Sequence, residues 1–301
     1  MRMIFKRYQE IIPEFSLFQE MIRESLPIHI RVNRLKVEPA SVVNSLKQRG
    51  VHIKRMGSRD NTFYLASGLK SAGNIIEYFL GFIHPQALTS CLASIALSPE
   101  RNSYVLDMCA APGGKTTHMA ELMNNTGVII ANELFPNRHI PLGHTLDRLG
   151  TLNTIITAYQ AQEFPLREKF DYILADVPCS GEGRFRKIKE SKDYRETKQM
   201  ARFPEMQKRI ILRGFDLLKG DGEMLYSTCT YNPSENESVV NFLLQKRDAC
   251  LLPIETGFDY QPGIHGWRNE RYDKQLGMAA RFYPHFIDSV GFFMARIGKR
   301  G

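Results

Sequence analysis

Val105-Leu106-Asp107-Met108-Cys109-Ala110-Ala111-Pro112-Gly113-Gly114-Lys115-Thr116 leaves an apolar run, turns through small residues and opens a helix predicted over Thr116–Met123. A strand ending in such a turn presents backbone N–H groups and a helix N-terminus to an anion. Around it, apolar runs at Tyr104–Met108, Val128–Asn132, Thr154–Thr157, Tyr172–Ala175 and Glu223–Ser227 alternate with helical stretches. That rhythm predicts an α/β fold, a parallel sheet covered on both faces, over residues 76–301. Residues 1–75 read differently: an amphipathic helix at Phe5–Glu24, a strand at Ile28–Leu35, a helix at Ala40–Arg49 introduced by Pro39, and strands near Val51–Met56 and Thr62–Leu65. This is a small α+β unit. The final apolar run, Gly291–Arg296, is expected to add as an edge or hairpin strand.

With 301 residues, 43% hydrophobic and 24% charged, the chain excludes the disordered, collagen-like and disulfide-stapled classes. No stretch approaches the roughly 18 apolar residues of a membrane span, and the first residues carry no apolar leader. The cytoplasm is the expected home, with no membrane partner and a monomeric state. Cys91, Cys109, Cys179, Cys229 and Cys250 are odd in number and include no Cys-x-x-Cys pair. Neither a disulfide framework nor a zinc module fits, so no metal is expected, and each cysteine is either packing or a catalytic thiol.

The formal charge of +8 favours a polyanionic partner. Residues 1–75 hold 13 basic and 6 acidic side chains, most of the excess. A second basic cluster runs from Arg184 through Arg186 and Lys187 to Arg202. Alone it reads as a solvated face; directly after a catalytic loop it reads as a set of phosphate contacts.

A phosphate loop of the Gly-x-x-x-x-Gly-Lys-Thr type needs glycine where Cys109 stands, and no Gly-x-Gly-x-x-Gly fingerprint occurs here. An acidic residue, Glu133, does follow the second strand. The combination suits a ligand with a ribose and a carboxylate but no pyrophosphate, and S-adenosylmethionine has that make-up. On the other side of the predicted sheet, the fourth strand runs through Asp176 into Val177-Pro178-Cys179-Ser180-Gly181, and the fifth ends Tyr226-Ser227-Thr228-Cys229-Thr230. Two thiols and a carboxylate thus stand at neighbouring strand ends, where open α/β sheets bind ligands. Methyl transfer to C5 of cytosine wants these groups together. C5 becomes nucleophilic only after a thiolate adds at C6; a carboxyl group at the N3/N4 edge stabilises the charge that develops, and a lysine such as Lys115 depresses the thiol pKa.

These motifs resemble those of the NOL1/NOP2/Sun family of RNA (cytosine-5) methyltransferases. The likeness rests on residues 107–116, Asp176–Gly181 and Tyr226–Thr230, with weaker similarity at Arg31–Leu35, His84–Ala87 and Arg281–His285. The resemblance implies a class I, Rossmann-like methyltransferase fold preceded by a small RRM-like α+β domain that grips RNA, with S-adenosylmethionine as cofactor. It implies Cys229 as the C6 nucleophile, Cys179 as the group assisting product release, and Asp176 at the cytosine edge with Lys115 beside it. Cys109, Ala110, Ala111, Pro112, Gly113, Gly114, Lys115, Glu133, Arg138, Gln160 and Asp176 become cofactor contacts. Gln160 stands where the family usually has an aspartate near the adenine, and Glu133 replaces the commoner aspartate at the ribose. Arg31, Asn33, Arg184, Arg186 and Lys187 are expected at the RNA, although Arg31 and Asn33 also suit orienting the small domain on the sheet. A tRNA is expected ahead of an rRNA, since little beyond the catalytic domain is present to address a ribosomal particle. An amino-group methyltransferase would carry an aromatic residue where Cys179 stands, and a non-catalytic RNA-binding factor would not need both thiols. Trp267 suits either stacking on a base or pinning a long loop; Gln86 and His285 have equally ordinary structural readings.

Overall fold

The computed structural model describes residues 5–57, 62–167, 169–186 and 200–300. Alternating side chains build the larger of two layered units. Val105, Ile129, Leu174, Leu225, Phe292 and Met294 point to one face of a sheet, while their neighbours Leu106, Ile130, Ile173, Met224, Tyr226, Phe293 and Ala295 point to the other. A strand apolar on both sides is stable only between two layers of helix.

In chain order the elements are α1 (Phe15–Met21), β1 (Ile28–Val32), α2 (Pro39–Gln48), β2 (His52–Arg55), β3 (Phe63–Ser67), α3 (Ile76–Phe79), β4 (Ile83–Pro85), α4 (Leu88–Leu97), β5 (Tyr104–Asp107), α5 (Gly114–Leu122), β6 (Val128–Asn132), α6 (Pro136–Leu149), β7 (Thr154–Thr157), β8 (Phe170–Asp176), α7 (Phe203–Leu217), β9 (Leu218–Thr228), α8 (Glu237–Lys246), β10 (Ala249–Leu252), β11 (Gln261–Pro262), β12 (Gly266–Trp267), β13 (Glu270–Arg271), β14 (Ala280–Phe282), α9 (Pro284–Ile287) and β15 (Phe292–Lys299). The main sheet runs β11-β14-β15-β9-β8-β5-β6-β7, with β10 also on β15. Strands β5 to β9 pair in parallel, and β15 is antiparallel to β9. Helices α4 and α5 cover one face, α7 and α8 the other. Proline at the start of α6 and left-handed Gly150 at its end fix that crossover.

Three expectations change. The run at residues 291–296, expected at an edge, lies inside the sheet, with β9 on one side and β14 and β10 on the other. Its near-continuous burial shows why an edge does not suit it. The smaller sheet, ordered β2-β3-β1-β4 and antiparallel throughout, takes its fourth strand from Ile83–Pro85, past the boundary expected at residue 75. The helix expected over residues 5–24 is broken around Pro13 into a 3-10 turn at Lys6–Tyr8 and α1. That segment packs on the larger unit, not the smaller: Phe5, Tyr8, Ile12, Phe18 and Ile22 form one cluster with Tyr231 and Tyr283. Among the described residues no helix is long and apolar enough to cross a membrane.

Candidate active site

Successive crossovers from β5 go in opposite directions, to β6 on one side and to β8 on the other, and such a switch point opens a crevice at the strands' carboxyl ends. Asp107, Asn132, Asp176 and Thr228 end the strands that form this rim.

On the β5–β6 side the chain turns tightly. Ala110 N–H donates to the Asn132 carbonyl (2.9 Å), and Gly113 N–H to the Ala110 carbonyl (2.8 Å). Gly113 has a φ of +100°, and a Cβ there would come within 3.0 Å of Leu142 Cδ1. Only glycine fits both conditions, and the turn delivers Gly114 as the first residue of α5. Asn132 ties the rim together: its amide donates to the carbonyls of Met108 (3.1 Å) and Tyr159 (2.9 Å), and its oxygen accepts from Thr157 Oγ1 (3.0 Å) and Tyr159 N–H (2.9 Å).

Asp107 is buried and accepts from Thr116 Oγ1 at 2.7 Å, and burial pushes its carboxyl pKa up to about 7. Its Oδ1 has no hydrogen-bond partner among the described residues. Glu133, also buried, accepts from Phe135 N–H (3.0 Å) and lies 2.9 Å from Arg138, whose guanidinium donates to the Ala111 carbonyl at 2.7 Å. Arg138 therefore links the small-residue turn to Glu133. Gln160 is exposed on the same rim, accepting from Gln162 at 2.8 Å. Cys109 lies in the turn, and burial drives its thiol pKa well up.

On the β8–β9 side Cys179 Sγ and Cys229 Sγ stand 3.2 Å apart, and Cys229 N–H donates to Cys179 Sγ at 3.3 Å. Asp176 is held by Lys115 Nζ (2.7 Å) and Ser227 Oγ (2.8 Å). Burial alone would lower the Lys115 pKa, but Asp176 reverses this and fixes the ammonium in its charged form. The two thiols diverge. A hydrogen bond from Cys179 lowers the Cys229 pKa, with Arg184 and Lys115 adding positive field against burial and Asp176. The same bond and burial raise the Cys179 pKa. Burial also pushes Cys91 up to about 12. Of the facing pair, Cys229 is the one with cations, Arg184 and Lys115, among the groups that favour its thiolate.

A polar scaffold that sequence reasoning missed holds both loops. Ser180 N–H donates to Glu235 (2.9 Å), Gln207 donates to the Pro178 carbonyl (2.8 Å), and Ser180 and Thr230 hydroxyls bond at 2.7 Å. Gly183 N–H reaches the Cys229 carbonyl at 2.9 Å, and the Gly183 carbonyl accepts from Gly291 N–H at 2.8 Å. The signal was the polar run Asn232-Pro233-Ser234-Glu235-Asn236-Glu237 directly after the second cysteine, whose Glu235, Asn236 and Glu237 are buried.

The expected RNA contacts separate. Arg31, expected at the RNA, is fully buried; it pairs with Glu121 and donates to Thr117 Oγ1 (3.0 Å), bracing β1 against α5. Asn33 is buried too, donating to the carbonyls of Gly81 (2.9 Å) and Leu149 (2.8 Å). Arg186 is spent on Asp288 (2.9 Å) and on the carbonyls of Glu24, Ser25 and Ser289. These three serve as internal braces, each bonded within the protein, although the buried Arg31 Nε has no hydrogen-bond partner among the described residues. Arg184 is exposed beside Cys229. Lys187 and most of the basic cluster lie outside the described residues. His285 Nε2 donates to the Pro13 carbonyl (2.9 Å), holding the N-terminal segment, and the Gln86 amide donates to Ser90 Oγ at 3.3 Å.

A family model described as 16S rRNA methyltransferase RsmB/F matches residues 94–298. Among curated proteins the chain is 36% identical over 295 residues to the human 28S rRNA (cytosine(4447)-C(5))-methyltransferase, covering 96% of this chain and 36% of that one. It is 33% identical over 297 residues to the tRNA (cytosine(49)-C(5))-methyltransferase of Pyrococcus abyssi, covering 98% and 95%. The chain spans 36% to 48% of the length of the eukaryotic rRNA relatives it matches. Among solved structures, a methyltransferase homolog protein from Pyrococcus horikoshii superposes with a TM-score of 0.84 at 31% identity, covering 96% and 91%. NSun6 from the same organism, solved with SFG, shares the fold at 24% identity and a TM-score of 0.87.

Proposed function

The chain belongs to the 16S rRNA methyltransferase RsmB/F family, within the NOL1/NOP2/Sun group, and on that premise we propose that it methylates C5 of a cytosine in RNA through a covalent bond from Cys229 to C6. The single observation that carries this reading is the 3.2 Å approach of the two sulfurs beside the Asp176–Lys115 pair.

S-adenosylmethionine is the cofactor, and when bound it supplies an electrophilic methyl group. The β5–β6 side suits it. Asp107 Oδ1 is a buried acceptor without a donor, and the ligand carries an ammonium and ribose hydroxyls to donate. Glu133 and Arg138 would lie at the ribose, the small-residue turn of residues 109–114 at the carboxylate, and Gln160 toward the adenine.

On the substrate side, Cys229 Sγ adds to C6 and the ring becomes an enamine with electron density at C5. Asp176, anchored by Ser227 and Lys115, faces the N3/N4 edge and stabilises the charge that collects there. Once C5 carries the methyl group, a base takes the C5 proton, the Cys229–C6 bond breaks and its electron pair returns to sulfur. Cys179, already touching Cys229, assists that release. The target base has to leave its stack to reach this rim.

We take the smaller sheet as an RRM-like unit that grips RNA, a reading supported by its order β2-β3-β1-β4 with α2 between β1 and β2 and α3 between β3 and β4. A tRNA substrate comes first, since the relative spanned over 95% of its length is a tRNA enzyme; the family description gives rRNA as the second reading. The test is transfer of labelled methyl groups to unmodified tRNA and rRNA, followed by mapping of 5-methylcytosine. Incorporation at cytosine C5 in either RNA supports methylation, and the preferred RNA decides the class. No incorporation into either one refutes the proposal.

A further inference from the structure

Away from the catalytic rim, an open cleft of about 620 Å³ is lined by Lys6, Arg7, Gln9, Glu10, Trp267 and Arg268. Half of its lining residues are cations, and another is the chain's one tryptophan. Trp267 ends β12 and faces Glu270 across the hairpin, so Arg268 opens a two-residue tip. Arg268 holds a left-handed φ of 54°, a conformation that glycine or asparagine adopts at lower cost. Its guanidinium lies 5.6 Å from the Trp267 ring. The indole packs against Tyr8 with centroids 5.9 Å apart, and Trp267 remains partly exposed. With Tyr8 and the core against the indole and the Arg268 guanidinium over its ring, a base that displaces Arg268 gains a stacking surface, and the displaced cation and Lys6 offer a phosphate its counter-charge.

The floor of the cleft is bonded to the catalytic loops. Arg7 pairs with the buried Glu182, and Tyr8 OH donates to the same carboxylate at 3.1 Å. Glu182 also accepts from Thr230 Oγ1 at 2.9 Å, one residue beyond Cys229. We infer that this cleft holds a nucleotide of the RNA outside the catalytic pocket, its base stacked on Trp267 and its phosphate between Lys6 and Arg268. The inference rests on the RNA-methyltransferase reading, and its test separates the two.

Because Trp267 is the sole tryptophan, tryptophan fluorescence reports on the surroundings of this one ring. A short single-stranded RNA rich in cytidine and uridine should quench it saturably, with the midpoint at which the anisotropy of a fluorescein-labelled copy rises. Lys6→Glu combined with Arg268→Glu should weaken both signals and flatten their salt dependence. In methylation assays with tRNA and rRNA, Trp267→Ala should raise KM for the methylated RNA about tenfold with kcat little changed, and Trp267→Phe, which keeps a ring against Tyr8, should restore most of it. Thermal melts of each variant separate lost packing from lost binding. If RNA binds and is methylated while wild-type tryptophan fluorescence stays constant, the cleft is not a nucleotide site and the methyltransferase reading stands. If RNA neither binds nor is methylated, both fall.

Discussion

Cys229 and Cys179 differ in environment although they touch. Lys115 and Arg184 bring positive field to Cys229 against burial and Asp176, whereas burial and Glu235 both raise Cys179. Iodoacetamide at neutral pH should therefore alkylate Cys229 ahead of Cys179 and Cys109, read by peptide mass spectrometry. Lys115→Met should slow that reaction, and faster labelling of Cys179 would reverse the assigned roles. Asp107 gives a second handle. Its folded pKa is near 7 against an ordinary value of 3.8, so the folded protein holds a proton that the unfolded chain has released, and stability falls as pH rises across that window. Asp107→Asn should raise Tm more at pH 8 than at pH 5 while weakening S-adenosylmethionine binding; an equal Tm change at both pH values would contradict the buried-acid account. That Asp176 and both cysteines share one rim was legible in the sequence, because each follows an apolar strand directly. That Ser227 orients Asp176 was not, since a serine before Thr-Cys carries no local sign of its partner.

At the scale of elements, the parallel strands were legible because both faces are apolar, and period and length alone mark such strands. The place of β4 was not: three residues, Ile83–Pro85, join the small sheet only through pairing with β1. Arg31 stays open between two readings in the sequence for a related reason, as the partner that buries it, Glu121, is ninety positions away. Removing one partner of a buried ion pair costs about 3–5 kcal/mol, whereas replacing both with apolar side chains is often neutral. Denaturant melts should show Arg31→Met strongly destabilised and Arg31→Met with Glu121→Met largely restored. A double variant as weak as the single would mean that the brace works through Thr117 instead. The catalytic loop offers a parallel case at Gly183, where a Cβ would sit 2.1 Å from the Gly291 carbonyl oxygen. Gly183→Ala must shift the loop whose N–H holds the Cys229 carbonyl, and a misplacement of this kind costs on the order of 100-fold in kcat. Wild-type kcat in a folded Gly183→Ala variant would show that the loop position is not limiting.

Across the whole molecule, residues 5–22 cross from the N-terminal side to pack on the catalytic unit, where Phe18 meets Tyr231 at 5.3 Å and Tyr283 OH donates to the Ile11 carbonyl at 3.2 Å. The sequence showed an amphipathic stretch there but not its destination, because an apolar face does not name the surface that buries it. This segment, the small sheet and the α/β sheet converge on one rim with two sulfurs. In the proposed reaction one of those sulfurs bonds to the substrate ring. RNA carrying 5-fluorocytosine blocks loss of the C5 substituent and so traps that bond. With S-adenosylmethionine present, the wild-type protein should form a denaturation-resistant adduct mapped to Cys229, Cys179→Ala should retain it, and Cys229→Ala should lose it. An adduct that persists in Cys229→Ala and disappears in Cys179→Ala would make Cys179 the nucleophile and overturn the proposed reaction.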